Sequence, residues 1–260
     1  MTLGPDDLVL CAGTLPRDTP WNERLAAASS AGFTGLSVWA RDYAAARRDG
    51  WSDADLRAQF ADHGLAVAEL DPAWWWTPGI ADVAVESLVA VDTMDVFRYG
   101  ESAMFAIADA LGARSINAAD VLGGSWSIDD AAETFAALCD RAAEHGLVVH
   151  LEFLPWSRVP DLATAWHVVR LADRANGGLM IDAWHWFRSA TPSDVATLRA
   201  IPGGKVLGIQ LDDAPAAPEP NLMSATLHER LLPGDGAIDL VALLGALRAI
   251  EAVAPIGVEV

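Results

Sequence analysis

Eight short apolar runs recur along this 260-residue chain, separated by stretches of helical character from end to end. The runs are Leu8 to Leu15, Gly35 to Ala40, Ala66 to Asp71, Ser115 to Asp120, Val148 to Leu154, Leu179 to Ala183, Val206 to Asp212 and Ile256 to Val260. None alternates cleanly between polar and apolar, which is the pattern of parallel strands covered on both faces. Helix signals fill the intervals. Thr19-Pro20 offers an N-cap and a proline at the first helical position, with Gly32 as the stop. Ser52-Asp53-Ala54-Asp55 reads as a capping box before a helix ended by Gly64. Ser127, with Asp129 and Asp130 in the first turn, opens a helix that runs to Gly146. Asp161 opens the next, with its end near Asn176-Gly177-Gly178, and Ile238 to Ala252 forms the last.

Eight alternating units without a charged linker predict one domain over residues 1–260, an α/β fold of the (β/α)8 TIM-barrel class. A doubly wound open sheet is the competing architecture, but no Gly-x-Gly-x-x-Gly follows the first strand. The pattern stops at strand eight, so the eighth helix is absent from this chain; closure by a neighbouring subunit, in a homodimer, is one expectation. Two connections are long. Pro72 to Arg98 carries Trp74-Trp75-Trp76 and a helix-like stretch from Ile80 to Val96, and Asp213 to Gly236 carries Pro233-Gly234-Asp235-Gly236. Both follow strands, which puts them on the face where barrel active sites are built.

Composition narrows the class. At 52% hydrophobic the chain can bury a core, and its net charge of -19 repels phosphate backbones and anionic lipid. Nucleic acid and membrane are therefore not expected partners. The two cysteines, Cys11 and Cys139, cannot frame a disulfide scaffold and read as buried thiols. The N-terminus lacks a basic region before an apolar core, and no apolar run reaches 18 residues, so a cytoplasmic location is expected.

The last four runs each end in a metal-competent oxygen: His150-Leu151-Glu152, Met180-Ile181-Asp182, Gly208-Ile209-Gln210 and Gly257-Val258-Glu259. Side chains alternate along a strand, so each ligand shares a face with the residue two before it, and Gly208 and Gly257 leave room beneath Gln210 and Glu259. Glu152, Asp182, Gln210 and Glu259 form a hard donor set suited to one Mn²⁺ or Mg²⁺, with Co²⁺ or Zn²⁺ also compatible. Without a metal, the same residues would be only a hydrogen-bonded rim. After Asp182 come Trp184, His185 and Arg188; His185 opens a loop and is placed to reach a substrate hydroxyl, and Arg188 to meet a developing oxyanion. His150 lies one layer below Glu152 as support. Seven of the 11 Trp, including Trp156 and Trp184, fall at or just after strand ends and suit a wall for sugar or polyol rings. Glu69 on the third run and Arg230 before the Gly-rich turn complete the candidate substrate contacts.

The segments HLEFLPW, MIDAWHWFR, GIQLDDAP, ERLLPGDGAIDL and GVEV, in that order, resemble the xylose isomerase-like TIM-barrel superfamily, which includes sugar-phosphate isomerases and epimerases. The resemblance covers nearly the whole chain and is strongest from His150 onward. It implies one catalytic divalent ion on Glu152, Asp182, Gln210 and Glu259. It also implies that Glu152 and Glu259 move protons on either side of the substrate, and that His185 and Arg188 touch its oxygens. Many of the epimerases have His where this chain has Gln210; Gln resembles a branch that dehydrates 3-dehydroshikimate. The endonuclease members need a His-rich three-zinc site, which 6 His and this charge do not supply. The expected activity is a metal-dependent isomerase or epimerase acting on a keto sugar or cyclic polyol through a metal-stabilised enediolate. The alternative is a lyase that expels a β-substituent from a cyclic ketone, with His185 as the acid.

Overall fold

The computed structural model describes residues 2–80, 95–189 and 195–260. Eight parallel strands close into one barrel in sequence order: β1 (Leu8–Leu10), β2 (Gly35–Trp39), β3 (Ala66–Ala73), β4 (Ser115–Ala119), β5 (Val148–Glu152), β6 (Gly177–Asp182), β7 (Val206–Leu211) and β8 (Ile256–Val258). All eight expected runs are strands. The ring is closed within this chain, Leu8, Val9 and Leu10 pairing with Ile256, Gly257 and Val258.

Around it lie α1 (Trp21–Ser30), α2 (Ala40–Arg48), α3 (Asp53–Asp62), α4 (Glu101–Leu111), α5 (Ile128–Glu144), α6 (Leu162–Ala172), α7 (Ala183–Arg188), α8 (Val195–Arg199), α9 (Leu222–His228) and α10 (Leu240–Ala249). The capping signals work as read. Ser52 and Ser127 accept from the backbone of Asp55 and Asp130, and each carboxylate reaches back to the serine N–H. Such caps contribute about 1 kcal/mol each. Buried Leu25, Leu56, Phe135 and Leu138 seat their helices on the sheet. Truncating one of these leucines to alanine typically costs about 3 kcal/mol.

Several local readings need correction. Pro20 is the N-cap of α1 rather than its first helical residue. The loop ahead of it is tied down by buried Arg24, which donates to the carbonyls of Ala12, Pro16, Arg17 and Thr19. β1 stops at Leu10, because Ala12 N–H turns aside to Ser37 Oγ at 2.7 Å. Helix α6 ends at Ala172, with Asp173 left-handed at φ 47°, so Gly177 and Gly178 belong to β6. The helix-like stretch Ile80 to Val96 lies almost wholly outside the described residues. Cys11 and Cys139 are buried free thiols. Among the described residues, no helix is long and apolar enough to cross a membrane.

Candidate active site

Strand register assembles the site. Asp182 and Gln210 are direct partners across β6 and β7, and Gln210 faces Gly257 across β7 and β8, two residues before Glu259. A cavity of about 330 Å³ opens over these ends. Its wall includes Trp39, Asp71, Glu152, Trp156, His185, Arg230 and Glu259. Glu152, Asp182 and His185 each turn one ligand atom inward, all within 4.8 Å of one another.

Asp182 has two duties. It caps α7, Oδ1 accepting from His185 N–H at 2.7 Å, while Oδ2 receives Arg230 Nη1 at 2.6 Å. His185 is therefore helical rather than in a loop, and the cap aims its ring at Glu152, with Nε2 3.6 Å from Oε1. Burial lowers His185 to about 4, so the imidazole is neutral at pH 7 and enters chemistry as a base or a neutral donor.

Arg230 sits in the middle of the carboxylates. Its Nη1 also meets Asp212 and lies 3.4 Å from Glu259 Oε2, while Thr226 fixes the rest of the guanidinium. The connection after β7 delivers it: α9 ends at His228, and an antiparallel bridge between Asp213 and Leu231 pins the return. Asp213 anchors that turn by accepting from the N–H groups of Ala214, Gly234 and Ile238.

So many buried acids perturb one another. Burial pushes Glu152 well above the usual carboxylate range; the charges of Asp182, Asp71 and Glu259 add to this, and a bond from Asn117 opposes it. Burial, opposed by Arg230, raises Glu259 to about 7. Asp182 also carries a burial penalty, but Arg230 and His185 together hold it below its ordinary value.

Below this layer a buried chain of hydrogen bonds supports Glu152. Asn117 Nδ2 donates to Glu152 Oε2 at 2.8 Å and to Asp71 Oδ1 at 2.9 Å. Its Oδ1 faces His150 Nδ1 at 3.0 Å, which puts the imidazole proton on Nδ1. His150 Nε2 must then accept. Ser115 Oγ, 3.0 Å away, donates its proton to Ala68 O, leaving Glu69 Oε2 at 3.1 Å as the donor. Burial raises Glu69 well above its ordinary value and lowers His150 to about 3. The contact is thus a neutral hydrogen bond rather than an ion pair.

The sequence-derived residues separate into two groups. Glu152, Trp156, His185, Arg230 and Glu259 line the cavity, with Asp182 beneath Arg230. Arg188 and Trp184 do not line it. Arg188 pairs with Glu219 at 2.8 Å and donates to the carbonyls of Pro215 and Ala217, so it holds the connection after β7. Trp184 is fully buried and packs edge-on against Trp156 and His185. Glu69 and His150 lie deeper, around a second cavity of about 20 Å³ inside the barrel. Trp74 and Trp76 are core residues, their indoles donating to Tyr99 O and Ala119 O. The glycines also work differently from expectation. The space beside Gly208 is filled by Met180, and that beside Gly257 by Cys11 and Gln210.

The donor set fits a divalent ion. Gln210 Oε1 is buried without a hydrogen-bond partner, the state expected of a carboxamide oxygen reserved for a cation. A guanidinium already finds a cation's place among Asp182, Asp212 and Glu259. The sequence did not single out Asn117, Asp71 or Asp212. Asp212 sits one residue past the end of β7 and Asp71 two residues before the end of β3, both where the expected apolar runs stop, so the rule that picked out the four candidate ligands would have picked them out too.

The profile of the xylose isomerase-like TIM-barrel family matches residues 25–260, and the chain belongs to that family. The 3-dehydroshikimate dehydratase of Pseudomonas aeruginosa is 30% identical over 254 residues, 97% of this chain but 37% of that protein. The chain thus spans a little over a third of the dehydratases it matches. The inosose isomerase of Bacillus velezensis is 29% identical over 202 residues, 73% of this chain and 69% of that one. A crystal structure of the IOLI protein with a bound zinc atom shares the fold at TM-score 0.79 and 22% identity, over 98% of this chain and 88% of that one.

Proposed function

We propose that the chain is a divalent-metal-dependent isomerase or epimerase that moves protons beside the ketone of a keto sugar or cyclic polyol. The observation that carries this reading is the convergence of Glu152, Asp182 and His185 within 4.8 Å, at a cavity whose wall also bears Glu259. A divalent ion held by Glu152, Asp182, Gln210 and Glu259 would supply Lewis acidity to the ketone and favour the ionised form of the glutamate that acts as base, the other starting as the protonated acid.

One glutamate removes the proton from the carbon beside the carbonyl, and the electron pair left behind moves toward the ketone oxygen. The other glutamate delivers a proton to the opposite face or to the neighbouring carbon. Asn117 keeps Glu152 from rotating, so one oxygen faces the cavity. Arg230 offers N–H groups to oxygens that gain negative charge. Trp156 and Trp39 exclude water along the wall.

The lyase reading is supported by a different observation: the dehydratase relatives align over 97% of the chain. There the carbanion expels a β-hydroxyl instead of being reprotonated. His185 would act as a neutral donor to the leaving oxygen.

Incubation of the Mn²⁺-loaded protein with inosose and, separately, 3-dehydroshikimate in D₂O tests both. Solvent deuterium in recovered or isomeric ketose is the expected result, and release of water with formation of an aromatic acid would favour the lyase. No exchange and no product with either ketone or with a keto-sugar panel would overturn both.

A further inference from the structure

Barrel interiors are ordinarily filled by layers of branched apolar side chains. Three adjacent strands of this barrel carry polar ones instead. β3 supplies Glu69 and Asp71, β4 supplies Ser115 and Asn117, and β5 supplies His150 and Glu152, each pair two residues apart and so on one face. Register sets Glu69 beside Ser115 and Asn117 beside His150. Polar groups this deep are costly unless every one is bonded, and a fully bonded set is rigid.

The bonds leave no choice of direction. Asn117 spends its amide protons on two carboxylates, Glu152 Oε2 at 2.8 Å and Asp71 Oδ1 at 2.9 Å, so its oxygen accepts from His150 Nδ1. Turning the amide over would set its oxygen against both carboxylates. His150 Nε2 is then left with a lone pair, 3.1 Å from Glu69 Oε2 and 3.0 Å from Ser115 Oγ. Ser115 already donates to Ala68 O at 2.8 Å, which leaves Glu69 as the donor. At the other end of the chain, Glu152 keeps Oε2 on Asn117 and turns Oε1 toward His185 Nε2.

We propose that Glu69, which lies below the substrate cavity rather than on its wall, is a positioning residue: by donating to His150 Nε2 it holds His150 and Asn117 in line and so fixes which oxygen Glu152 presents to metal and substrate. The inference rests on the reading of Glu152 as a metal ligand and proton carrier. It has an unusual consequence. Because Glu69 acts as a neutral donor, an amide can replace it and an apolar side chain of similar length cannot.

The test compares Glu69→Gln, which keeps a donor, Glu69→Met, which has none, and Ser115→Ala, which removes the other neighbour of Nε2. Two quantities are read: side-chain nitrogen NMR of His150 and Asn117 in the metal-free protein, and Mn²⁺ affinity by calorimetry. Glu69→Gln and Ser115→Ala should keep Nε2 hydrogen-bonded and bind Mn²⁺ as wild type does. Glu69→Met should move Nε2 to its unbonded position, shift the Asn117 amide and weaken Mn²⁺ binding about tenfold, the low end for the outer partner of a metal ligand. Should Glu69→Met not fold, Glu69→Asp, which withdraws the carboxyl from Nε2, gives the same comparison. Equal losses in the Gln and Met variants, or a loss in Ser115→Ala with none in Glu69→Met, overturn the proposal. Wild type that takes up no Mn²⁺ removes the metal reading alone. The resonances still decide the proposal in that case, and Asn117 unmoved in Glu69→Met overturns it.

Discussion

Arg230 sets its Nη1 2.6 Å from Asp182 Oδ2, and so a side chain from the connection after β7 neutralises the acid that ends β6. The same guanidinium reaches Asp212 and Glu259. Arg230→Met should therefore destabilise the metal-free protein by about 3 kcal/mol, because it leaves buried carboxylates without their cation. Added Mn²⁺ should restore more stability to this variant than to wild type. Urea unfolding with and without Mn²⁺ checks both points.

Glu259 gives a pH dependence. Its carboxyl is raised to about 7 in the fold against 4.5 for an ordinary glutamate. Between those values the folded protein holds a proton that the unfolded chain has released. This contribution to stability is full below about 4.5 and is lost as pH rises through about 7. Metal uptake has the opposite sign, because a ligand carboxylate must be ionised. Mn²⁺ affinity should rise with pH toward 7 and level off above it. Calorimetry in two buffers of different ionisation enthalpy should show proton release at pH 6 that shrinks by pH 8.

His150→Ala removes the donor to Asn117 and the acceptor for Glu69 in a fully buried place. A loss of about 3 kcal/mol is expected from the cavity and the unpaired groups together. Because Asn117 then turns freely beneath Glu152, turnover should fall about tenfold with little change in KM. His150→Asn, which keeps a donor near Nδ1, should recover part of the rate.

Arg188→Ala should act on binding rather than on the chemical step. The side chain is buried against Glu219 and two carbonyls of the connection that carries Arg230. Its loss should speed hydrogen exchange across residues 213–221 and raise KM more than it lowers kcat.

The barrel was legible because its period is coarse: eight apolar runs with caps between them survive errors of two or three residues at each end. That Glu152, Asp182, Gln210 and Glu259 gather at one end of the barrel was legible for the same reason, since strand ends in a barrel share one face. Asn117 was not. Its role comes from lateral register, which sets it beside His150 on the neighbouring strand, and no spacing within Ser115–Ala119 announces that. Arg188 misled because proximity in sequence to Asp182 suggested proximity to substrate; the turn of α7 points it instead toward Glu219. Trp184 failed similarly, since a helical position after the strand carried its indole into the core.

If the strand-end acids form a metal site, elemental mass spectrometry of the purified protein beside Asp182→Ala will show it. About one equivalent of Mn, Mg, Co or Zn per chain is expected in wild type after Mn²⁺ dialysis, and its loss in the variant. Metal absent from both proteins would contradict the metal-site reading, and would reduce Glu152, Asp182, Gln210 and Glu259 to a polar rim neutralised by Arg230.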